Sequence, residues 1–179
     1  MSAPDPAPAS TSVHAAAVLV GNRAVLIRGA SGSGKSRLAF ELILAGRAGQ
    51  IPTATLVGDD RVTLERRQGE LLVRPVPELA GLIEIRGLGI RHCDFAAEAA
   101  VGLVVDLAAD DGDRLPLPEA LWTTVEGVEL PRIPVSAGFA PLPLVVAALT
   151  TTDGLADAPA SGDCSKGIGN HISPTLESE

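Results

Sequence analysis

The stretch GASGSGKS, residues 29–36, constrains the fold of this chain more than any other feature. Gly29 and Gly34 enclose four small or polar residues and are followed by Lys35 and Ser36, which is the spacing G-x-x-x-x-G-K-[ST] of a phosphate-binding loop, or P-loop. The apolar run 24–27 predicts a buried strand before the loop, and the helical spacing of apolar residues in 36–45 predicts a helix after it that stops at Gly46. Strand, loop and helix in this order predict nucleotide binding.

The chemistry of the loop explains why these residue types are needed. Glycines allow the backbone to wrap closely around an anion, successive N–H groups point inward, and the helix that follows adds the positive end of its dipole. In this arrangement Lys35 would reach the terminal phosphates and the Ser36 hydroxyl would ligate Mg²⁺.

Length, charge and cysteine content narrow the class of protein. A chain of 179 residues with 46% hydrophobic content is expected to form one globular domain. The formal net charge of −8 gives no electrostatic support for nucleic acid or an anionic membrane as partner. Cys93 and Cys164 fit no metal-binding or disulfide pattern, so a reducing cytoplasm is the expected location.

The two ends of the chain differ in composition from its middle. Residues 1–12 are rich in Pro, Ala and Ser and lack the features of a signal peptide, and residues 153–179 contain few apolar residues. No apolar run is long enough to span a membrane. We therefore expect a flexible N-terminus over 1–12, an ordered catalytic domain over 13–152 and a flexible tail over 153–179.

The expected core consists of short strands with few helices. Residues 18–20 and 24–27 predict a hairpin that leads into the loop, 55–57 a strand that ends at an acidic pair, and 62–64 and 71–73 two strands around a polar turn. Residues 101–107 form the most continuous apolar strand, and 142–150 have the composition of a helix.

Two acidic positions compete for a role in phosphoryl transfer, which requires a carboxylate near the metal and one that accepts the proton of a hydroxyl acceptor. Asp59 and Asp60 end one apolar strand, whereas Asp106 ends the strand 101–107 and is the more usual acidic strand end of a P-loop protein. Composition alone does not separate the two candidates.

Together, His14, the loop 29–36, GDDRV at 58–62, EIRGLGI at 84–90 and IPV at 133–135 resemble the catalytic domain of HPr kinase/phosphorylase, which phosphorylates a serine of the phosphocarrier protein HPr. The resemblance covers about residues 13–150 and implies an α/β P-loop kinase domain of the HPr kinase and PEP carboxykinase-like type, with a mixed sheet and few helices. Members of the usual length have an additional N-terminal domain, so the chain is expected to be a short form with the catalytic domain only.

The resemblance also implies the roles of individual residues. Asp59 matches the base toward the HPr serine, His14 and Lys35 match active-site residues, and Arg86 lies in the signature segment near the substrate. The residues that match the nucleotide loop are Gly29, Ser31, Gly32, Ser33, Gly34, Lys35 and Ser36, and those that match the metal site are Ser36, Asp60 and Glu84. The implied cofactors are ATP and Mg²⁺, the implied partner is an HPr-like carrier, and the implied assembly is a hexamer.

The chain departs from the family pattern at two places. Ala30 stands where the family commonly has Asp, and Phe139 stands where it has an arginine that helps to handle the phosphorylated serine. Kinase activity is therefore the expected reaction, and the reverse phosphorylase reaction is left open. The alternatives are a non-catalytic ATP-binding regulatory module and a small-molecule P-loop kinase, although no arginine-rich lid is visible for the latter.

Overall fold

The computed structural model of this chain describes residues 10–151. Within this range, nine strands form one sheet and two more form a separate hairpin. The strands are β1 Ser10–Val13, β2 Ala16–Val20, β3 Arg23–Arg28, β4 Ala54–Gly58, β5 Val62–Arg67, β6 Glu70–Pro75, β7 Leu82–Ile85, β8 Gly89–His92, β9 Ala99–Leu107, β10 Trp122–Val125 and β11 Val128–Val135. The helices are α1 Lys35–Arg47 and α2 Pro141–Thr150.

The sheet is mixed, as the family resemblance implied. Neighbouring strands follow the order β1-β5-β6-β9-β3-β2-β4, and β11 also pairs with β9 and with β10. β3 and β11 run parallel to β9, whereas the other pairs in the sheet are antiparallel. The predicted hairpin before the loop is β2–β3, and the segment EIRGLGI forms most of the β7–β8 hairpin. β9 therefore lies between the loop-bearing strand β3 on one side and β6 and β11 on the other.

The central strands are buried on both faces, which explains their continuous apolar runs. In β3, Val25 and Ile27 belong to a core on the α1 side, while Ala24 and Leu26 belong to a second core on the other face. α1 covers the first core with Leu38, Ala39, Leu42 and Ile43. The loop is thus placed between a strand and a helix that are both held by burial of apolar side chains.

The predicted end of α1 was wrong by two residues, because the helix continues through Gly46 to Arg47. A Cβ at Gly46 would lie 2.7 Å from the Ala54 nitrogen and 2.8 Å from the Ala54 Cβ. Gly46 is therefore needed for a close approach of α1 to the start of β4, and it does not act as a stop signal.

The predicted boundary of the flexible N-terminus was also too late. Ser10–Val13 pairs antiparallel with β5, from Ser10 opposite Glu65 to Val13 opposite Val62. An edge strand is stabilised by backbone hydrogen bonds and does not require apolar side chains, so composition did not reveal it. The remaining predicted flexible residues, 1–9 and 153–179, lie outside the described residues, as does residue 152 at the end of the predicted catalytic domain.

Neither helix in residues 10–151 is long and apolar enough to cross a membrane.

Candidate active site

The loop 29–34 connects β3 to α1 and has the backbone of an anion-binding loop. Gly29, Gly32 and Gly34 have φ angles of 148°, 79° and 99°, which side-chain-bearing residues rarely adopt. A Cβ at Gly32 or Gly34 would have no neighbouring atom within 4 Å, so open space lies beside both glycines. Gly29, by contrast, packs against Leu107 at the end of β9.

Lys35 is the first residue of α1 and is almost completely buried. Its Nζ donates hydrogen bonds to the carbonyl oxygens of Gly29 at 2.9 Å and Ala30 at 3.0 Å. Burial lowers the pKa of Lys35, and the negative charges of Asp59 and Asp60 oppose this shift. The ammonium group is therefore held inside the loop and lies within electrostatic reach of the acidic pair.

The three serines of the motif 29–36 have different environments. Ser31 is exposed, and Ser36 lies half-buried in the first turn of α1. The Ser33 Oγ is buried and has no hydrogen-bond partner in residues 10–151. Ser33 also covers Gly29, since its Oγ lies 2.6 Å from the position that a Gly29 Cβ would occupy.

Asp59 follows β4 directly and is only 3% exposed. Its Oδ2 accepts a hydrogen bond of 3.1 Å from the backbone N–H of Glu84 in β7. Its Oδ1 is buried and has no partner among the described residues. A buried carboxylate oxygen without a partner is costly, and a bound ligand, an ion or a water would complete its hydrogen bonding.

The other predicted residues of the acidic side surround Asp59 at the surface. Asp60 has a φ angle of 65°, and its exposed Oδ1 lies 3.2 Å from the Nε2 of His14. Glu84 and Arg86 are exposed at the end of β7 and in the turn that follows it. The structure thus joins His14 to Asp60 and Glu84 to Asp59, and it places Arg86 on the same hairpin as Glu84.

Asp106, the competing candidate, is already bound by two arginines. Both of its oxygens accept hydrogen bonds of 2.7 Å from Arg28, and Oδ2 also accepts one of 2.5 Å from Arg132. Burial alone would raise the pKa of Asp106, but the hydrogen bonds from the two arginines lower it overall. Among the described residues, Asp59 thus has an oxygen without a hydrogen-bond partner, whereas both oxygens of Asp106 are bonded.

Sequence reasoning missed Arg28 and Arg132 as neighbours of this site. Arg132 directly precedes residues 133–135 of β11, and Arg28 ends the apolar run 24–27 of β3 and directly precedes the first loop glycine. That position was the one available signal, because the pairing of β3 and β11 on the two sides of β9 is not visible in the sequence.

The residues where the chain departs from the family pattern are both exposed. Ala30 lies in the loop, and Phe139 lies between β11 and α2 with 72% of its surface exposed. Among residues 10–151, no group of three or more His, Cys, Asp and Glu side chains is close enough together to hold a metal ion.

A mixed sheet with a glycine loop between a central strand and a helix, and a buried carboxylate near the loop lysine, defines an α/β protein of the P-loop class. The model of the HPr serine kinase C-terminal domain family matches residues 7–152, and the chain belongs to this family.

Known relatives agree with this assignment. An HPr kinase/phosphorylase of Geobacillus thermodenitrificans is 39% identical over 143 residues, which are 72% of this chain and 44% of that protein. One of Enterococcus faecalis is 41% identical over 143 residues, which are 72% of this chain and 43% of that protein. The solved structure of the Hpr(Ser) kinase/phosphatase from Coxiella burnetii matches with a TM-score of 0.61 and 26% identity, over 78% of this chain and 93% of that chain. The chain spans less than half the length of the curated relatives it matches.

Proposed function

We propose that this chain transfers the γ-phosphoryl group of ATP to a serine of an HPr-like phosphocarrier protein and so regulates a phosphotransferase-system phosphorelay. Membership of the HPr serine kinase family and the names of its relatives support this reaction class. The observation that carries the proposal is the state of Asp59. One of its oxygens is held by the Glu84 N–H and the other is buried without a partner.

The residues present fit Mg²⁺-ATP. The open space beside Gly32 and Gly34 suits phosphate oxygens, and the Lys35 ammonium supplies a cation at the base of the loop. Mg²⁺ is usually held by one or two carboxylates together with substrate phosphates, and Asp60 and Glu84 are carboxylates that adjoin Asp59 through the chain and through a hydrogen bond. Ser36, Asp60 and Glu84 are the residues that would hold the ion, which when bound neutralises charge on the phosphates.

Asp59 acts as the base in this proposal. Its Oδ1 accepts the proton of the attacking serine hydroxyl, while its Oδ2 stays on the Glu84 N–H and fixes the carboxylate plane. Lys35 stabilises the negative charge that develops on the transferred group. His14 orients Asp60 through their 3.2 Å contact, and Arg86 lies on the exposed hairpin beside Glu84, where a protein substrate has access.

The proposal concerns the kinase direction. The family's arginine after the IPV segment assists with the phosphorylated serine, and this chain has Phe139 at that position. Kinase chemistry requires only the loop, the metal-binding carboxylates and Asp59, which are all retained.

The test compares Lys35→Ala and Asp59→Asn with the wild type in nucleotide binding and in phosphoryl transfer to an HPr-like protein. Lys35→Ala should lose nucleotide binding, whereas Asp59→Asn should keep it and lose transfer by about 100-fold or more, the usual contribution of a general base. Glu65→Gln is the control, because Glu65 is a buried carboxylate that pairs with Arg74 between β5 and β6. Equal transfer by Asp59→Asn and wild type would contradict the assignment of Asp59 as the base. An inactive Asp106→Asn together with an active Asp59→Asn would show that Asp106, and not Asp59, is the required carboxylate.

A second candidate is an ATP-binding regulatory module without catalysis, which the exposed Phe139 in place of an arginine favours. ATP binding without transfer to any HPr-like protein would support this candidate.

An oligomer, a hexamer by resemblance, and a cytoplasmic location are parts of the same proposal. Light scattering of the purified protein at micromolar concentration tests the first, and a monomer mass would contradict it.

A further inference from the structure

Four charged side chains, in the order Arg28, Asp106, Arg132 and Asp111, form a continuous network where β3 and β9 end. Arg28 donates two hydrogen bonds of 2.7 Å to the two oxygens of Asp106, its register partner across the parallel strands. Arg132 of β11 approaches from the other side of β9 and donates one of 2.5 Å to Asp106. Arg132 also holds Asp111 through bonds of 2.6 and 3.0 Å. Two cations and two anions thus balance each other.

The network also holds the connection between β9 and β10, residues 108–121. Arg132 donates a hydrogen bond of 2.9 Å to the carbonyl oxygen of Ala120 near the end of this connection, and Asp111 lies near its start. Arg28 reaches Thr123 in β10 at 3.3 Å. The side chains of Arg132 and Asp106 are only 13% and 17% exposed, so solvent screens these contacts weakly.

The network joins the P-loop through the backbone on both strands. Arg28 directly precedes Gly29, whose carbonyl oxygen accepts the hydrogen bond from Lys35 at 2.9 Å. Asp106 directly precedes Leu107, whose carbonyl oxygen and Cβ would both lie 3.1 Å from a Cβ on Gly29. Gly29 and Leu107, which contact each other at the start of the loop, are therefore held together by the ion pair between the residues that precede them, Arg28 and Asp106.

We propose that Arg28, Asp106 and Arg132 are positioning residues of the nucleotide site. They fix Gly29 against the end of β9 and thereby hold the Gly29 carbonyl oxygen, which accepts the hydrogen bond from Lys35. The carboxylate at the usual metal-binding strand end is used here to hold the loop, and Asp59 remains free for chemistry. This inference rests on the proposed nucleotide-binding function.

The experiment uses the whole chain and the variants Asp106→Asn and Arg28→Lys. Asp106→Asn keeps the shape of the side chain and removes its charge, whereas Arg28→Lys keeps the charge and removes the bidentate hydrogen bonding to Asp106. Glu65→Gln is the matched control, since it breaks a buried carboxylate–arginine pair in strands that do not adjoin the loop. For the wild type and each variant we measure the hydrogen exchange of residues 29–34 without nucleotide and the melting temperature. We also measure the Kd and KM for Mg²⁺-ATP and the kcat.

For both network variants we expect faster hydrogen exchange at residues 29–34. The Kd and KM for Mg²⁺-ATP should rise about tenfold, which is the order expected for the loss of charge-assisted hydrogen bonds. The kcat should change less. Glu65→Gln should lower the melting temperature and leave loop exchange and nucleotide affinity unchanged. Unchanged loop exchange and affinity in both network variants, or the same changes in Glu65→Gln, would overturn the inference. Wild-type protein that binds no Mg²⁺-ATP would contradict the proposed function itself, and in that case loop exchange alone decides whether the network orders the loop.

Discussion

Replacing Gly29 with alanine tests how closely the P-loop is packed against the end of β9. The φ angle of Gly29 is 148°, and a Cβ there would lie 2.6 Å from the Ser33 Oγ and 3.1 Å from both the carbonyl oxygen and the Cβ of Leu107. The strained backbone costs about 1–3 kcal/mol and the overpacking a similar amount, so Gly29→Ala should lose about 3 kcal/mol of unfolding free energy.

The assay is thermal unfolding of the protein without nucleotide. With an unfolding entropy of about 2 cal/mol/K per residue, a loss of about 3 kcal/mol in a domain of about 140 residues lowers the melting temperature by about 10 °C. Gly32→Ala is the control, because Gly32 also has a positive φ of 79° but no atom within 4 Å of its Cβ position. Backbone strain alone should lower its melting temperature by about 3 °C, from a cost of about 1 kcal/mol. Equal shifts in the two variants, or no shift in Gly29→Ala, would refute the packing argument.

Two further predictions concern α1. Replacing a helical glycine with alanine ordinarily stabilises a protein by up to about 1 kcal/mol. At Gly46, near the end of α1, the new Cβ would instead meet the Ala54 nitrogen at 2.7 Å, so we expect Gly46→Ala to lower the melting temperature. A higher melting temperature would contradict the close approach of α1 to β4. Burial lowers the pKa of Lys35 from its ordinary 10.5, and bound phosphate favours its charged form, so ATP affinity should decrease as the pH rises through that lowered pKa. Calorimetric titration over this range checks the decrease, and Lys35→Arg, which stays charged, should not show it.

The elements that sequence predicted correctly are those with a local signal. The glycines and Lys35 specify a strand–loop–helix unit within about twenty residues, and the apolar run 101–107 indicates a buried strand. The β2–β3 hairpin and α2 follow in the same way from turn residues and from Pro141.

The features that sequence did not predict depend on long-range pairing. Ser10–Val13 becomes a strand because β5 offers a free edge, and no side chain in 10–12 signals this. Gly46 was interpreted as a stop because the approach of Ala54 was unknown.

The choice between Asp59 and Asp106 had the same limitation. It depends on which of the two carboxylates is paired with arginine side chains. The partners of Asp106, Arg28 and Arg132, are 78 and 26 residues away from it in the chain. The free Oδ1 of Asp59 likewise depends on the backbone of Glu84, 25 residues later.

The most direct test of the central claim is to incubate the purified protein with Mg²⁺, labelled ATP and an HPr-like protein of the same organism, and to locate the label by mass spectrometry. The proposed function predicts label on a serine of the HPr-like protein with wild type and none with Asp59→Asn. Bound ATP without any label on the carrier would contradict the kinase assignment and would favour the regulatory module.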